Sequence, residues 1–138
     1  MIVLDESIYD ERLATSILRW YPGTVTSIVK LRPSTLVKDE AIPMLLRRVS
    51  QPTFLTINVD DFWLKVAAQP SYCIVAVPLR QHESLFAADW LRRCLRVPQF
   101  RTKASRMGKV ILLRPTHIEY YESNRQIIEL EWSESASQ

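Results

Sequence analysis

Hydrophobic residues along the chain alternate between short continuous runs and stretches in which they recur every three or four positions. The short runs predict strands, and the fourth run is apolar throughout, as expected for a central strand covered on both faces. These runs lie at 2–4, 24–31, 53–59 and 72–77. Helical spacing between the runs gives the order βαβαβ(α)βα, which predicts a mainly parallel sheet with helices on both faces.

The helices have recognisable starts. Ser7 fits the N-cap of the first helix, the second begins near Asp39, and Ser84 fits the N-cap of a helix that ends before Pro98. A further short helix is expected at 62–68.

The last third of the chain changes character. It carries three strand-like segments, the last two joined by a hairpin turn at Ser123-Asn124. We therefore predict one α/β domain over 1–132, a three-layer αβα sandwich around a central, mainly parallel sheet, with a C-terminal β-hairpin. The core would occupy about 1–104 and the C-terminal strands 109–132, and residues 133–138 are expected to form a disordered tail.

Composition narrows the functional classes. With two glycines, the chain cannot form a glycine-rich phosphate loop, and His82 and His117 lack the spacing of a zinc site. Cys73 and Cys94 sit in apolar stretches and are expected to be reduced core thiols of a cytoplasmic protein. No apolar run approaches the ~20 residues that span a bilayer, so no membrane partner is expected.

Three pairs of acidic residues are the strongest chemical signal. Asp5-Glu6 follows the first strand, Asp39-Glu40 opens the second helix, and Asp60-Asp61 closes the third run. The carboxyl ends of parallel strands meet at one crevice, and carboxylates gathered there repel each other unless a cation lies between them. Hard cations such as Mg²⁺ and Mn²⁺ prefer oxygen ligands, so the pattern predicts a metal site. Each pair also has a purely structural interpretation. Asp5 suits the flank of a helix, Asp39 suits an N-cap, and Asp60-Asp61 suits a turn after a strand.

Basic residues are concentrated in one stretch. Eight of the 18 Lys and Arg residues lie between Asp89 and Glu119, with no acid among them. Such a block attracts polyanions, although short basic runs are also typical of solvated surfaces. The segment from Arg101 to Lys109 is expected near the mouth of the crevice.

The acidic motifs, in their order, resemble those of small PIN-like domains. Asp5-Glu6 resembles their first motif, Asp39-Glu40 the second, and the segment from Thr56 to Phe62 the third. The resemblance covers roughly the first hundred residues. It departs from the family at Val59, where an aspartate would stand.

The resemblance implies an Mg²⁺- or Mn²⁺-dependent endoribonuclease, and many small prokaryotic PIN-like proteins are toxins of toxin–antitoxin pairs. Asp5, Asp39 and Asp61 would be the catalytic metal ligands. Further candidate ligands are Glu6, Glu40, Asn58 and Asp60. The predicted partner is RNA, and an antitoxin protein and a second copy of the chain are further candidates.

RNA phosphates would be bound by basic side chains of the stretch described above. These are Arg92, Arg93, Arg96, Arg101, Lys103, Arg106 and Lys109. Two other readings stay open. One is a catalytically weak PIN-like module that binds nucleic acid or protein, which Val59 favours. The other is a phospho-receiver signalling domain, which also has acids after its first strand and an aspartate after its third.

Overall fold

The computed structural model describes residues 1–31 and 39–132. These residues form a mixed α/β fold around a single seven-stranded sheet. The strands are β1 (Ile2–Leu4), β2 (Val25–Ser27), β3 (Thr53–Thr56), β4 (Cys73–Ala76), β5 (Val110–Leu113), β6 (His117–Tyr121) and β7 (Ile128–Glu131). The α-helices are α1 (Glu11–Leu18), α2 (Ile28–Leu31), α3 (Ile42–Leu46), α4 (Val59–Phe62), α5 (Ala87–Arg96) and α6 (Lys103–Arg106). The predicted tail at 133–138 lies outside the described residues.

The sheet has the strand order β2-β1-β3-β4-β5-β6-β7. All pairs from β2 to β5 are parallel, whereas β6 and β7 pair antiparallel and add the predicted C-terminal hairpin. From β1 the chain moves to β2 on one side and then returns to place β3 on the other. In open α/β sheets, ligands bind at such a switch point, outside the carboxyl ends of the strands.

Helices cover the sheet on both faces, and alternate strand residues contribute to two hydrophobic clusters. Ile2 and Leu4 of β1 belong to the cluster that includes Leu13 of α1 and Leu91 of α5. Val3 points the other way, into the cluster formed with α2, α3 and α4. Strand β4 is buried throughout, as predicted for a central strand. The arrangement is consistent with a three-layer αβα sandwich.

Two strands are shorter than the sequence predicts. The prediction that the second strand runs to Leu31 is wrong, because the hydroxyl of Ser27 accepts the N–H of Val29 at 3.3 Å and the chain turns into α2. The third strand ends at Thr56, where the side-chain oxygen accepts the N–H of Asn58 at 2.9 Å. Side-chain oxygens that take up backbone donors compete with the sheet ladder in this way.

Three helix predictions are also corrected. The N-cap of α1 is Asp10, which accepts the N–H of Arg12 at 2.7 Å, and Ser7 lies in a preceding 3₁₀ turn. Ser84 lies inside a 3₁₀ segment, Gln81–Phe86, that leads into α5. The short helix expected at 62–68 is replaced by α4, which ends at Phe62. Within the described residues, no helix is both long and apolar enough to cross a membrane.

Candidate functional site

The carboxyl ends of β1 and β3 lie side by side at the switch point of the sheet. Asp5 is the residue directly after β1, and its N–H continues the ladder by donating to the carbonyl of Leu55 at 3.0 Å. The Asp5 side chain is only 3% exposed. Its Oδ2 accepts a hydrogen bond of 2.7 Å from the hydroxyl of Thr56, the last residue of β3. The buried carboxylate thus has a partner, as buried charged groups require.

A line of hydrogen bonds continues from this contact. The Thr56 oxygen that donates to Asp5 also accepts the backbone N–H of Asn58 at 2.9 Å. The Asn58 side-chain amide in turn donates to Oδ2 of Asp61 at 2.6 Å. Hydrogen bonds through Thr56 and Asn58 therefore connect the buried carboxylate of Asp5 with the exposed carboxylate of Asp61. We call this set of four residues the carboxyl-edge site.

The remaining predicted ligands have different environments. Glu6, Glu40 and Asp60 are exposed. The prediction that Asp60-Asp61 directly follows the third strand is wrong, because both residues lie in the first turn of α4, where acidic side chains suit the helix dipole. The backbone of Asp39 opens a 3₁₀ turn, Asp39–Ala41, but its side chain is outside the part of the chain that the structure describes.

The donor atoms of the carboxyl-edge site suit a hard cation. Carboxylate, hydroxyl and amide oxygens are ligands that Mg²⁺ and Mn²⁺ accept. Among the described residues, no three Asp, Glu, His or Cys side chains are grouped so that they could hold one ion. The Asp39 side chain lies outside the described part of the chain, so the trio of Asp5, Asp39 and Asp61 stays a prediction.

Lys30 places a positive charge at the same edge of the sheet. Lys30, in the helix that follows β2, donates to the hydroxyl of Tyr9 at 2.9 Å, and its ammonium lies 5.0 Å from the centre of that ring. The hydrogen bond to Tyr9 raises the pKa of Lys30. A charged ammonium is thus held beside the segment that leaves β1.

The segment from Arg101 to Lys109 lies elsewhere, and its predicted position near the crevice mouth is wrong. Arg106 contacts Thr53, the first residue of β3, and the N–H of Gly108 donates to the carbonyl of Tyr72, just before β4. Both contacts lie at the amino edge of the parallel strands. Helix α5 runs back from the carboxyl edge, so Arg96 at its end reaches the amino edge as well.

Arg106 is a structural residue, which corrects its assignment to phosphate binding. It is 2% exposed, and Nε donates to the Thr53 hydroxyl at 3.1 Å. Its Nη1 donates to the carbonyls of Phe100 and Arg101 at 3.0 and 3.2 Å. A phosphate would have to displace these hydrogen bonds, two of which are buried.

The other predicted phosphate contacts fall into two groups. Arg93 lies over the ring of Trp132, 4.4 Å from its centre, and the Lys109 ammonium donates to the carbonyl of Ser105. The second group is exposed. It consists of Arg92, Arg96, Arg101 and Lys103.

Both cysteines are buried, free thiols, as predicted. Burial raises the pKa of Cys73 to about 12 and raises that of Cys94 as well. Neither thiol has the thiolate character that a nucleophile or a soft-metal ligand needs.

Sequence reasoning missed the role of Thr56. The available signal was the position of Thr56, a polar residue directly after the apolar pair Phe54-Leu55 and close to the turn that follows the strand. It also missed Trp20 and Tyr21, which line a pocket with five basic side chains and are described below.

Comparison of the chain with protein-family models, curated proteins and solved structures found no match. The predicted resemblance to PIN-like domains is therefore not tested by these comparisons and stays a prediction from the motifs. Residues of the first and third motifs, Asp5 and Thr56, are in direct contact at the carboxyl edge.

Proposed function

We propose that the protein is a PIN-like, Mg²⁺- or Mn²⁺-dependent phosphodiester hydrolase that acts on RNA at the carboxyl-edge site. The observation that carries this proposal is the line of hydrogen bonds from Asp5 through Thr56 and Asn58 to Asp61, located at the switch point between β1 and β3. Ligand sites in open α/β sheets occur at this position.

The hydrogen bonds orient the two carboxylates. Thr56 holds Oδ2 of Asp5, and Asn58 holds Oδ2 of Asp61, so the direction of each carboxylate group is fixed by a neighbour. Asp5, Asp61 and Asp39 would hold the cation, with water completing its coordination. When bound, such an ion supplies a more acidic water and neutralises charge on a phosphate.

The two carboxylates differ in burial and would therefore have different roles. Asp5 is enclosed, so it serves as a rigid anchor at the bottom of the site, whereas Asp61 is exposed and can meet a substrate directly. Lys30 provides a positive charge for a flanking phosphate at the same edge. An antitoxin partner and a role as a toxin remain part of the proposal, through the family resemblance alone.

A PIN-like binding module without catalysis is the second candidate. Val59, at the first position of α4, stands where the family has an additional acid, and this favours weaker metal binding. A receiver domain fits less well. It needs an aspartate directly after the third strand, and β3 ends instead at Thr56, with both nearby aspartates exposed on α4.

Cleavage of fluorescently labelled single-stranded RNA tests the proposal. Wild-type protein should cleave in Mn²⁺ or Mg²⁺ and stop on addition of EDTA, and Asp61→Asn should lower the rate at least about tenfold. Glu122→Gln is the matched control, because it removes one exposed carboxylate charge at the opposite edge, after β6. Cleavage that persists in EDTA, or an equal rate in Asp61→Asn, contradicts the proposal. RNA binding without cleavage would favour the binding module.

A further inference from the structure

A pocket of about 390 Å³ lies at the amino edge of the sheet, on the face covered by α1 and α5. We call it the basic pocket. Its walls include Trp20 and Tyr21 from the chain after α1, Arg92 and Arg96 from α5, and Arg101 and Lys103 from the segment that follows α5. The volume falls within the ~300–1,000 Å³ typical of small-molecule sites.

The charge of the basic pocket is not balanced by the protein. Arg92, Arg96, Arg101 and Lys103 are exposed, and none forms an ion pair with a carboxylate in the part of the chain that the structure describes. The buried guanidinium of Arg106 adds a fifth cation to the lining. Cations gathered in a concave site raise the local concentration of anions.

The α-amine of Met1 lies against the basic pocket. It donates to the Tyr21 hydroxyl at 3.0 Å, which places it against a wall of the basic pocket. Burial, together with the charges of Lys103 and Arg106, lowers the pKa of this amine to about 6. The same charges that disfavour another cation favour an anion.

The aromatic wall gives the pocket a second type of contact. The Tyr21 ring is fixed by its hydroxyl contact and by Gly23, where an added Cβ would lie 2.6 Å from the ring. Trp20 packs edge-on against Tyr21, with ring centroids 6.2 Å apart, and remains half-exposed. A half-exposed indole beside guanidinium groups suits a flat ring that carries a phosphate.

We infer that the basic pocket binds a nucleotide, with the phosphate held by Arg92, Arg96 and Lys103 and the base stacked on Trp20. Guanidinium groups bind phosphate through paired hydrogen bonds, and stacking on an aromatic ring tolerates any base. The volume accommodates one nucleotide unit. That unit is either a free mononucleotide or the end of an RNA strand. The inference does not rest on the proposed hydrolysis, since the two sites lie at opposite edges of the sheet.

Binding of adenosine monophosphate, followed by calorimetry and tryptophan fluorescence, tests the inference. The titrations are made in the presence of EDTA, so that nucleotide binding is measured without any contribution from a metal ion. Adenosine monophosphate should bind, adenosine should bind at least about tenfold more weakly, and added salt should weaken the nucleotide complex. Equal binding of adenosine and its monophosphate overturns the inference, as does the absence of nucleotide binding.

Matched variants place the ligand in the pocket. Arg92→Gln with Lys103→Gln should lower nucleotide affinity at least about tenfold. The control, Arg93→Gln with Arg48→Gln, removes the same charge from a residue held over Trp132 and from an exposed residue after α3, and should bind as wild type does. Equal affinities in the two double variants would contradict the assignment. Melting curves of both show that the fold is retained.

An RNA competitor identifies the source of the nucleotide. A short 5′-phosphorylated single-stranded RNA is added to the complex with adenosine monophosphate. Displacement in wild-type protein shows that the pocket accepts an RNA end, and retention of the mononucleotide shows that it is selective for the free form. If the RNA displaces adenosine monophosphate equally well from Asp5→Asn, the RNA binds at the basic pocket independently of the carboxyl-edge site.

Discussion

The hydroxyl of Thr56 donates a 2.7 Å hydrogen bond to the carboxylate of Asp5, joining the end of β3 to the residue that follows β1. Both side chains are buried. An ionised group in such a position is tolerated when hydrogen bonds replace the lost water. The contact therefore fixes the innermost carboxylate of the carboxyl-edge site before any ligand arrives.

Removal of the Thr56 hydroxyl should destabilise the fold. Thr56→Val leaves Asp5 without this donor and the N–H of Asn58 without its acceptor, at a cost of about 1–3 kcal/mol in the free energy of unfolding. Urea denaturation of Thr56→Val, Asp5→Ala and the double variant measures the coupling, which should be about 0.5–3 kcal/mol. Strict additivity of the two single changes would show that the contact contributes nothing.

Arg106 and Lys103 should differ sharply, although they are neighbours in the basic stretch. Arg106→Met removes the donor of three acceptors, of which the Thr53 hydroxyl and the Phe100 carbonyl are in buried hydrogen bonds, and should lower the free energy of unfolding by about 3 kcal/mol or more. Lys103→Met changes an exposed side chain and should change the free energy of unfolding by less than ~0.5 kcal/mol. Equal unfolding midpoints in urea would contradict the structural role of Arg106.

The buried thiols predict loss of stability in alkaline solution. The pKa of Cys73 is raised from 9.0 to about 12, so above pH 9 the unfolded chain releases a proton that the folded chain retains. The unfolded state is then favoured by up to about 1.4 kcal/mol per pH unit for each such thiol. The free energy of unfolding should fall between pH 9 and 11, and the fall should be smaller in Cys73→Ala.

Thiol accessibility provides an independent check. Cys73 and Cys94 are both fully buried. They should react with a thiol reagent such as Ellman's reagent only after addition of denaturant. Rapid reaction in native buffer would place at least one thiol at the surface.

The sheet could be predicted from the sequence because its strands are apolar runs. Strand β4 is buried on both faces, and its continuous apolar segment already indicates a central position. Ends of elements were less predictable. The hydroxyls of Ser27 and Thr56 stop their strands by accepting backbone N–H groups, and a β-branched run gives no sign of that choice.

The positions of some acidic residues could be predicted, whereas the metal site itself stays a prediction. Asp5 follows β1 as the rule for parallel strands implies, and hydrogen bonds through Thr56 and Asn58 connect it to Asp61 on α4. The position of the basic stretch could not be read in the same way. A run of basic residues reveals the sign of its charge, but it does not reveal at which edge of the sheet the run lies. Burial of Arg106 depends on acceptors such as Thr53, which is 53 positions away in the chain.

Mn²⁺ binding, measured by calorimetry, tests most directly whether the carboxyl-edge site is a metal centre. Wild-type protein should bind Mn²⁺ and gain thermal stability as the ion concentration rises, because an ion that binds only the folded state stabilises it by mass action. Asp5→Asn keeps an acceptor for Thr56 but removes the charge, and should weaken Mn²⁺ binding at least about tenfold, whereas Glu122→Gln should bind as wild type does. Equal Mn²⁺ affinity in wild type and Asp5→Asn, or no binding in wild type, would contradict the account.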